Sequence, residues 1–231
     1  MPSAREPRVF VVIPSYNEGG FLRRTVDGLL PYGYEIVVVD DGSTVDARST
    51  LGRLPIHFLR HSTNLGQGAA LETGTEYAVI QGADVIVHFD ADGQHDSSSI
   101  AQLIRPVLRG ECDVVIGSRF LDPRHVASVP FHRRIVLKVG IAISWLFTGV
   151  WLSDTHNGLR ALSGAAASKI RLTESGFAHA TEILSLIKRA KLRYREFPTL
   201  VRYTAHSKAK GQSGLNGINI VFDLVVSKVL R

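Results

Sequence analysis

The first half of the chain alternates between short apolar runs and stretches in which apolar residues recur at helical spacing. The apolar runs are rich in Val and Ile and have the length of buried strands, at residues 9–13, 36–39, 56–59, 85–89 and 114–116. Helical spacing occurs at residues 18–30, 66–80 and 97–108. Runs of this kind that alternate with helices are typical of mostly parallel sheets covered on both faces. The sequence therefore predicts an α/β fold, in which Pro14 ends the first strand.

Polar motifs follow four of these predicted strands, at residues 15–18, 40–43, 90–95 and 118–119. The carboxyl ends of parallel strands lie at one edge of a sheet, and ligands of such sheets bind beyond that edge. We therefore expect a nucleotide site there, and this expectation does not depend on any single motif.

The motif after the predicted strand at 85–89 contains two carboxylates, Asp90 and Asp92, followed by Gly93 and Gln94. Side chains two residues apart in an extended segment point the same way, so the two carboxylates can converge on one cation. Gly93 allows a sharp turn at that point. Oxygen ligands of this kind suit Mg²⁺ or Mn²⁺. The alternative is an ordinary solvated turn, which Asp and Gly also favour.

Composition limits the classes of protein to which the chain can belong. Its 231 residues, 45% of them hydrophobic, are enough for one well-packed domain, and no linker-like composition divides residues 1–118 from residues 119–231. The formal charge of +6 favours anionic ligands or an anionic membrane surface. Because zinc-ligand spacing and basic-aromatic alternation are lacking, nucleic acid is not an expected partner. The single cysteine, Cys112, and the polar residues 1–8 predict a reduced, cytoplasmic protein.

The second half is less regular, and it begins with a nearly continuous apolar segment at residues 135–152. Lys138 within it argues against a membrane span, whereas Trp145 and Trp151 suit a helix at a membrane surface. An ordinary buried helix is the alternative. Further helices are predicted at 164–170, 179–190 and 215–230, with an edge strand at 196–203 and a polar loop at 204–213.

Six motifs in order make the chain resemble family 2 glycosyltransferases of the GT-A fold, in particular the dolichyl- or polyprenyl-phosphate mannosyltransferase branch. They lie at residues 13–18, 39–43, 64–68, 90–95, 117–120 and 154–160. The resemblance implies an inverting transfer of a hexose from a nucleotide-diphosphate sugar. Under it, residues 1–118 hold the donor and residues 119–231 hold the acceptor.

The resemblance also implies roles for individual residues on the donor side. The donor-binding residues would be Pro14, Tyr16, Glu18, Asp41, Asp90 and Asp92. Asp90, Asp92 and Gln94 would hold the Mg²⁺ or Mn²⁺ that bridges the donor phosphates. A cation there would stabilise the negative charge that gathers on the leaving nucleoside diphosphate.

An anionic acceptor such as a polyprenyl phosphate would explain the basic residues of the second half. The expected acceptor-binding residues are Ser118, Arg119, Arg133, Arg134, Arg160, Lys208 and Lys210. Asp92, Arg119 and Arg160 are the expected catalytic residues, with both arginines placed in motif loops. A phosphate oxygen is already charged and needs no general base, whereas a sugar hydroxyl needs one. Asp154 and Glu182 are the candidates for that base.

Several alternatives remain at this point. The enzyme could act on a sugar hydroxyl of a surface polysaccharide, or the chain could be a non-catalytic subunit that binds nucleotide sugar or lipid. A nucleotidyltransferase would normally carry a glycine-rich, lysine-bearing loop where residues 14–18 stand. The glycines of residues 64–68 could cradle phosphate or only allow close packing. His206 could reach the diphosphate or stay in solvent. The other histidines of the motifs are interpreted as packing or surface residues: His95, His156 and His179. If the acceptor is a polyprenyl phosphate, the chain would contact the cytoplasmic membrane face peripherally, with a membrane protein as a possible partner.

Overall fold

The structure, a computed structural model, describes residues 5–122, 138–139, 141–142, 145–146, 148–155, 157–176 and 178–200. Some of the predictions above fall outside these residues. They are the roles of Arg133, Arg134, His206, Lys208 and Lys210, the nature of His156, the loop 204–213, the helix 215–230 and part of the segment 135–152.

The observed elements follow the predicted alternation. The strands are β1 (Val9–Ser15), β2 (Glu35–Asp40), β3 (His57–Arg60), β4 (Val85–His88), β5 (Val114–Ser118), β6 (Arg160–Ser163) and β7 (Tyr194–Pro198). The α-helices with defined bounds are α1 (Gly20–Leu29), α2 (Ala47–Leu51), α3 (Gln67–Ile80), α4 (Ile100–Leu108), α5 (Gly164–Ala167) and α6 (His179–Arg189). Two 3₁₀ turns, Leu30–Tyr32 and Ser97–Ser99, adjoin α1 and α4.

The seven strands of the described residues form one sheet in the order β3-β2-β1-β4-β6-β5-β7. All neighbouring pairs are parallel except those of β6, which is antiparallel to both β4 and β5. The first residue of β6, Arg160, therefore lies opposite His88 of β4 and Ile116 of β5. The carboxyl ends of β1, β2, β4 and β5 and the start of β6 meet at one edge of the sheet.

Two hydrophobic cores cover the two faces of the sheet, since successive side chains of a strand point to opposite faces. Val11 and Ile13 of β1 pack in the core that includes residues of α1, α2 and α4. Phe10 and Val12 pack in the other core, with residues of α3, α5 and α6. The predicted α/β class with a mostly parallel sheet is confirmed.

The prediction that Pro14 ends the first strand is wrong. β1 continues to Ser15, with Pro14 aligned with Val39 of β2. On the other side of β1 the ladder with β4 stops at Val12, so Pro14 has a neighbouring strand on one side only. A residue without a backbone N–H is tolerated where one side of a strand is open.

Strand β6 was not expected, and the placement of Arg160 in a loop is therefore wrong. The four residues of β6 read Arg-Ala-Leu-Ser and contain no β-branched side chain, so propensity offers no signal for a strand. Pairing on both sides compensates for this weak local preference. The short helix α2 was also missed; the side chain of Asp46 caps it by accepting from the backbone N–H of Arg48 at 2.8 Å.

Candidate active site

The loop after β4 carries two carboxylates, Asp90 and Asp92, at the edge where the strands end. Burial raises the pKa of Asp90; the Arg160 charge lowers it, Glu18 raises it and a hydrogen bond from Gln67 lowers it. Burial also raises the pKa of Asp92, and the Asp90 charge raises it further. The two carboxylates thus repel each other in a partly desolvated place, and a cation between them would relieve the repulsion.

Three residues from separate segments surround the carboxylate of Asp90. The side-chain amide of Gln67, the first residue of α3, donates to Asp90 Oδ1 at 3.0 Å. The imidazole Nε2 of His95 lies 3.8 Å from Asp90 Oδ2. A Cβ at Gly158 would lie only 2.0 Å from Asp90 Oδ2, so glycine is the residue that fits there. These contacts fix where the Asp90 carboxylate points.

The expected cation ligands Asp90, Asp92 and Gln94 lie in this one loop. The backbone N–H of Gln94 donates to Asp92 Oδ1 at 3.0 Å, and the Gln94 side chain is largely buried. Within the described part of the chain, no group of three His, Cys, Asp or Glu residues is placed to hold a metal ion. Two carboxylates and an amide oxygen fit a hard divalent cation that takes its other ligands from water and phosphate.

Arg119, directly after β5, is held by the carboxylate of Asp154. Its Nε and Nη2 atoms donate to the two Asp154 oxygens at 2.7 and 2.8 Å, and its backbone N–H donates at 3.1 Å. The Arg119 side chain is 11% exposed and that of Asp154 only 1%. This two-point ion pair fixes the guanidinium in one orientation at the sheet edge.

Arg160 is buried under the site and does not line a loop. It is 2% exposed, and within the described residues its Nε and Nη1 atoms have no hydrogen-bond partner. Burial lowers the pKa of Arg160 to about 10, against the opposing effect of Asp90 and Asp154. The side chain therefore remains a cation at neutral pH.

Ser118, the last residue of β5, is fully buried. Its hydroxyl lies 2.6 Å from that of Ser153 and accepts from the backbone N–H of Phe120 at 3.2 Å. The hydroxyl of Ser153 in turn donates to Glu196 at 2.6 Å. These contacts support the turn that carries Arg119, and they do not fit the expected contact between Ser118 and an acceptor.

On the donor side, Asp41 ties together the loops that follow β2 and β3. It accepts from the backbone N–H groups of Leu65 at 2.9 Å and Gly66 at 2.7 Å, and its Oδ1 lies 2.7 Å from Nδ1 of His61. His61 also contacts the hydroxyl of Thr73 in α3 at 3.0 Å. Asp41 therefore fixes the arrangement of these two loops.

The loop after β1 contributes the other expected donor residues. Pro14 is buried within β1, Tyr16 is 42% exposed, and the charge of Glu18 acts on both Asp90 and Asp92. Of the expected donor residues, Tyr16 is thus the one most open to solvent, and Glu18 lies on the side of the carboxylate pair.

The glycines before and within α3 permit close packing. A Cβ at Gly66 would lie 2.2 Å from the carbonyl oxygen of Ser175, and one at Gly68 would lie 2.0 Å from that of Glu174. The backbone N–H of Gly68 donates to the Ser175 carbonyl at 2.8 Å. Of the two interpretations of residues 64–68, the structure supports close packing.

His95 is a site residue that the sequence analysis assigned to packing or the surface. Its side chain is 4% exposed, and burial lowers its pKa to about 4, so it is neutral at neutral pH. The charges of Asp92, Arg119 and Asp154 all act on it. In the sequence, only its position directly after Gln94 indicated that His95 belongs to the site. His179 is buried, with Nδ1 2.8 Å from the Gly176 carbonyl oxygen, as expected of a packing residue.

The two candidate general bases both have other tasks. Asp154 is bound by Arg119 as described above. Glu182 accepts from the backbone N–H groups of Thr173 and Glu174, each at 2.9 Å, and from the Thr173 hydroxyl at 2.5 Å. Glu182 therefore closes the loop before α6.

Three large apolar side chains form an exposed cluster, which we call the aromatic patch: Trp145, Leu146 and Trp151. They are 48%, 73% and 64% exposed, and the two indole rings meet edge to face at 5.8 Å. Exposed apolar patches mark contact surfaces. Among the helices that the structure describes, none has the length and apolar content needed to cross a membrane.

Comparison with known proteins agrees with this arrangement. The sequence profile described as glycosyl transferase family 2 matches residues 10–170. The chain is 30% identical to the UDP-N-acetylglucosamine–dolichyl-phosphate N-acetylglucosaminyltransferase of Methanococcus voltae, over 96% of each chain. It is also 30% identical to the dolichol-phosphate mannosyltransferase of Pyrococcus furiosus, over 94% of this chain and 64% of that one.

A solved structure gives the same fold. The crystal structure of glucosyl-3-phosphoglycerate synthase from Mycobacterium tuberculosis superimposes with a TM-score of 0.71 at 18% identity, over 95% of this chain and 78% of that one. The predicted GT-A fold is thus confirmed. Because the profile spans most of the chain and relatives at 30% identity span nearly all of it, the chain belongs to glycosyl transferase family 2.

Proposed function

We propose that the protein is an inverting glycosyltransferase that moves a hexose from a nucleotide-diphosphate sugar to a polyprenyl phosphate at the cytoplasmic membrane face. The names of the relatives from Methanococcus voltae and Pyrococcus furiosus, both of which act on dolichyl phosphate, support this acceptor. The reaction depends on Mg²⁺ or Mn²⁺; structures of the mycobacterial synthase with Mn²⁺ and UDP support a divalent cation in this fold.

The observation that carries the proposal is the state of Arg119, Asp154 and Glu182. Arg119 is oriented by a two-point ion pair, whereas both carboxylates considered as general bases are occupied by other groups. A phosphate oxygen that is already charged attacks without a base, and a fixed guanidinium is a suitable partner for it. A sugar hydroxyl would require a base, and neither candidate is available.

The donor is proposed to lie against the loops that follow β1, β2 and β4. Pro14, Tyr16, Glu18 and Asp41 border the nucleoside, with Asp41 acting through the loop that it holds together. Asp90, Asp92 and Gln94 would hold the divalent cation, which would neutralise negative charge on the leaving diphosphate. Asp90 is kept in place by Gln67, His95 and Gly158, so that little reorganisation is needed when the donor binds.

The acceptor phosphate is proposed to bind beside Arg119. Arg133, Arg134, Lys208 and Lys210 remain proposed acceptor ligands, although they lie outside the described residues. We leave Ser118 and Arg160 out of the acceptor site because both side chains are buried.

The aromatic patch is proposed to rest in the interfacial layer of the membrane, where a polyprenyl phosphate presents its headgroup. Trp side chains favour this layer because the indole is apolar with one polar N–H. Lys138 and the excess of basic residues over the whole chain would favour anionic lipids. A membrane protein partner could share this surface.

The proposal is tested by incubating the purified protein with Mn²⁺ or Mg²⁺, a panel of nucleotide sugars and a short polyprenyl phosphate. Nucleoside diphosphate release is followed with and without the lipid. Release that requires both the lipid phosphate and one particular sugar nucleotide is expected, and it would identify the donor. Release at the same slow rate whether or not the lipid is present would contradict the proposed acceptor.

A further inference from the structure

Arg160 is a buried cation in which two of the three guanidinium nitrogens have no hydrogen-bond partner in the described part of the chain. Its Nε and Nη1 atoms are both buried and make no hydrogen bond there. Burying an arginine in this way is costly unless nearby charges compensate it. The residue therefore needs an electrostatic explanation.

The neighbours of Arg160 show which charges compensate it. His88, opposite on β4, offers no carboxylate, and its Nε2 lies 2.9 Å from the Thr75 hydroxyl. Ile116, opposite on β5, is apolar. The carboxylates whose charges act on Arg160 are Asp90 and Asp154.

These two carboxylates are not equally available. Asp154 is already matched by the guanidinium of Arg119 at 2.7 and 2.8 Å. Asp90 is approached by the side-chain amide of Gln67 at 3.0 Å and by Nε2 of His95 at 3.8 Å, and within the described residues it forms no ion pair with a lysine or an arginine. The positive charge of Arg160 thus mainly balances Asp90.

We infer that Arg160 is an internal countercation for Asp90, which weakens the binding of a free divalent cation at Asp90 and Asp92. The inference rests on the cation site of the proposed function. Arg160 lies opposite His88, two residues before Asp90, and Gly158, two residues before Arg160, faces the Asp90 carboxylate. A divalent cation next to Asp90 is therefore repelled by the buried guanidinium. The diphosphate of the donor adds negative charge and offsets this repulsion, so the cation is favoured together with the donor. Arg160 is in this sense a positioning residue that acts through Asp90.

The test is a Mn²⁺ titration of the full chain without acceptor, followed by calorimetry and by the shift in the thermal midpoint. Arg160→Met replaces the cation with a neutral side chain of similar length and is expected to bind Mn²⁺ about tenfold more tightly than the wild type. Arg160→Lys keeps the charge and should stay near the wild-type affinity. Arg193→Met removes an exposed arginine paired with Asp113 and should leave the titration unchanged. Adding UDP should narrow the difference between wild type and Arg160→Met.

Unchanged or weaker Mn²⁺ binding by folded Arg160→Met would overturn the inference, since a purely structural role predicts weaker binding. If both proteins bind Mn²⁺ equally, this inference fails while the proposed cation site stands. If neither binds Mn²⁺, with or without UDP, both fail.

Should Arg160→Met not fold, the double variant with Asp90→Asn decides the question. Removing both opposite charges should then recover the fold, as measured by the thermal midpoint, and failure to recover would overturn the inference.

Discussion

The two parts of the sheet edge balance their charges in opposite ways. In the carboxylate part, formed by Asp90 and Asp92 after β4, negative charges repel each other and burial raises the pKa of both groups. In the arginine part, formed by Arg119 after β5 with Asp154, opposite charges meet at 2.7 and 2.8 Å in a buried ion pair.

This difference indicates which part of the edge requires a ligand. The carboxylate part is unfavourable by itself and gains most when a cation and a diphosphate arrive. The arginine part is a complete ion pair without a ligand, and it presents the N–H groups of Arg119 in a fixed position. Changes in the carboxylate part should therefore affect the sugar donor, and changes in the arginine part should affect the acceptor.

The largest effect is expected for Asp92→Ala. Loss of a cation ligand should lower turnover by about 10³-fold, because charge on the leaving diphosphate is no longer neutralised. The thermal midpoint should not fall, since one of two repelling carboxylates is removed. Asp27→Ala, which removes an exposed carboxylate paired with Arg23 on α1, should keep full activity. If Asp92→Ala keeps most of its activity with added Mn²⁺, the assignment of Asp92 as a cation ligand is wrong.

Gly158→Ala should displace the Asp90 carboxylate, because the added methyl would lie 2.0 Å from its oxygen. A shift of this size at a group that positions the donor is expected to lower kcat/KM by about 10²-fold. Gly176→Ala is the matched control, since a Cβ there meets no atom of the described residues within 4 Å. Equal rates for the two variants would show that the position of Asp90 does not matter for turnover.

Arg119→Ala should weaken acceptor use more than donor binding. Loss of charge-assisted hydrogen bonds to a phosphate predicts a KM for the lipid phosphate raised by about tenfold to a hundredfold. Donor binding, measured by UDP titration, should change by less than about twofold, well below the effect on the acceptor. Arg119→Lys keeps the charge but not the planar guanidinium, so its KM for the lipid phosphate should lie between those of the wild type and Arg119→Ala. An equal loss in both measurements would place Arg119 on the donor side.

The smallest effect is expected for His61→Ala, which removes the side-chain partner of Asp41. Stability should fall by about 1–2 kcal/mol in urea unfolding, and the KM for the donor should rise a few-fold as the loop loosens. His57→Ala removes a comparable contact with Glu35 and Tyr77 at the opposite end of β3. It should lower stability similarly without changing the donor KM. If both variants have the same KM for the donor, the loop held by Asp41 is not part of the donor site.

The carboxylate part could be predicted from the sequence because its information is local. The run at 85–89 predicts a strand, and Asp90, Asp92 and Gln94 follow it directly. Parallel topology then brings such strand ends together at one edge. The fold class followed from the alternation of strands and helices, the edge from the parallel topology, and the family from six motifs in order.

The arginine part, the burial of Arg160 and the contacts of Glu182 could not be predicted in the same way because they depend on contacts between distant segments. Arg160 is buried since β6 inserts antiparallel between β4 and β5, and nothing in its four residues indicates a strand. The pairing of Asp154 with Arg119, and of Glu182 with the loop at Thr173, likewise depends on tertiary packing. Residue type alone therefore suggested Asp154 and Glu182 as general bases, although in the folded protein both carboxylates bind other residues.

The most direct test compares a polyprenyl phosphate with the polyprenol of the same chain length as acceptor. Both are supplied to the wild-type enzyme with Mn²⁺ and the donor found in the panel, and the glycosylated lipid is quantified. If Arg119 receives an acceptor that is already charged and needs no base, product should form with the phosphate and not with the alcohol. Comparable product from the alcohol would contradict this and would require a general base that neither Asp154 nor Glu182 supplies.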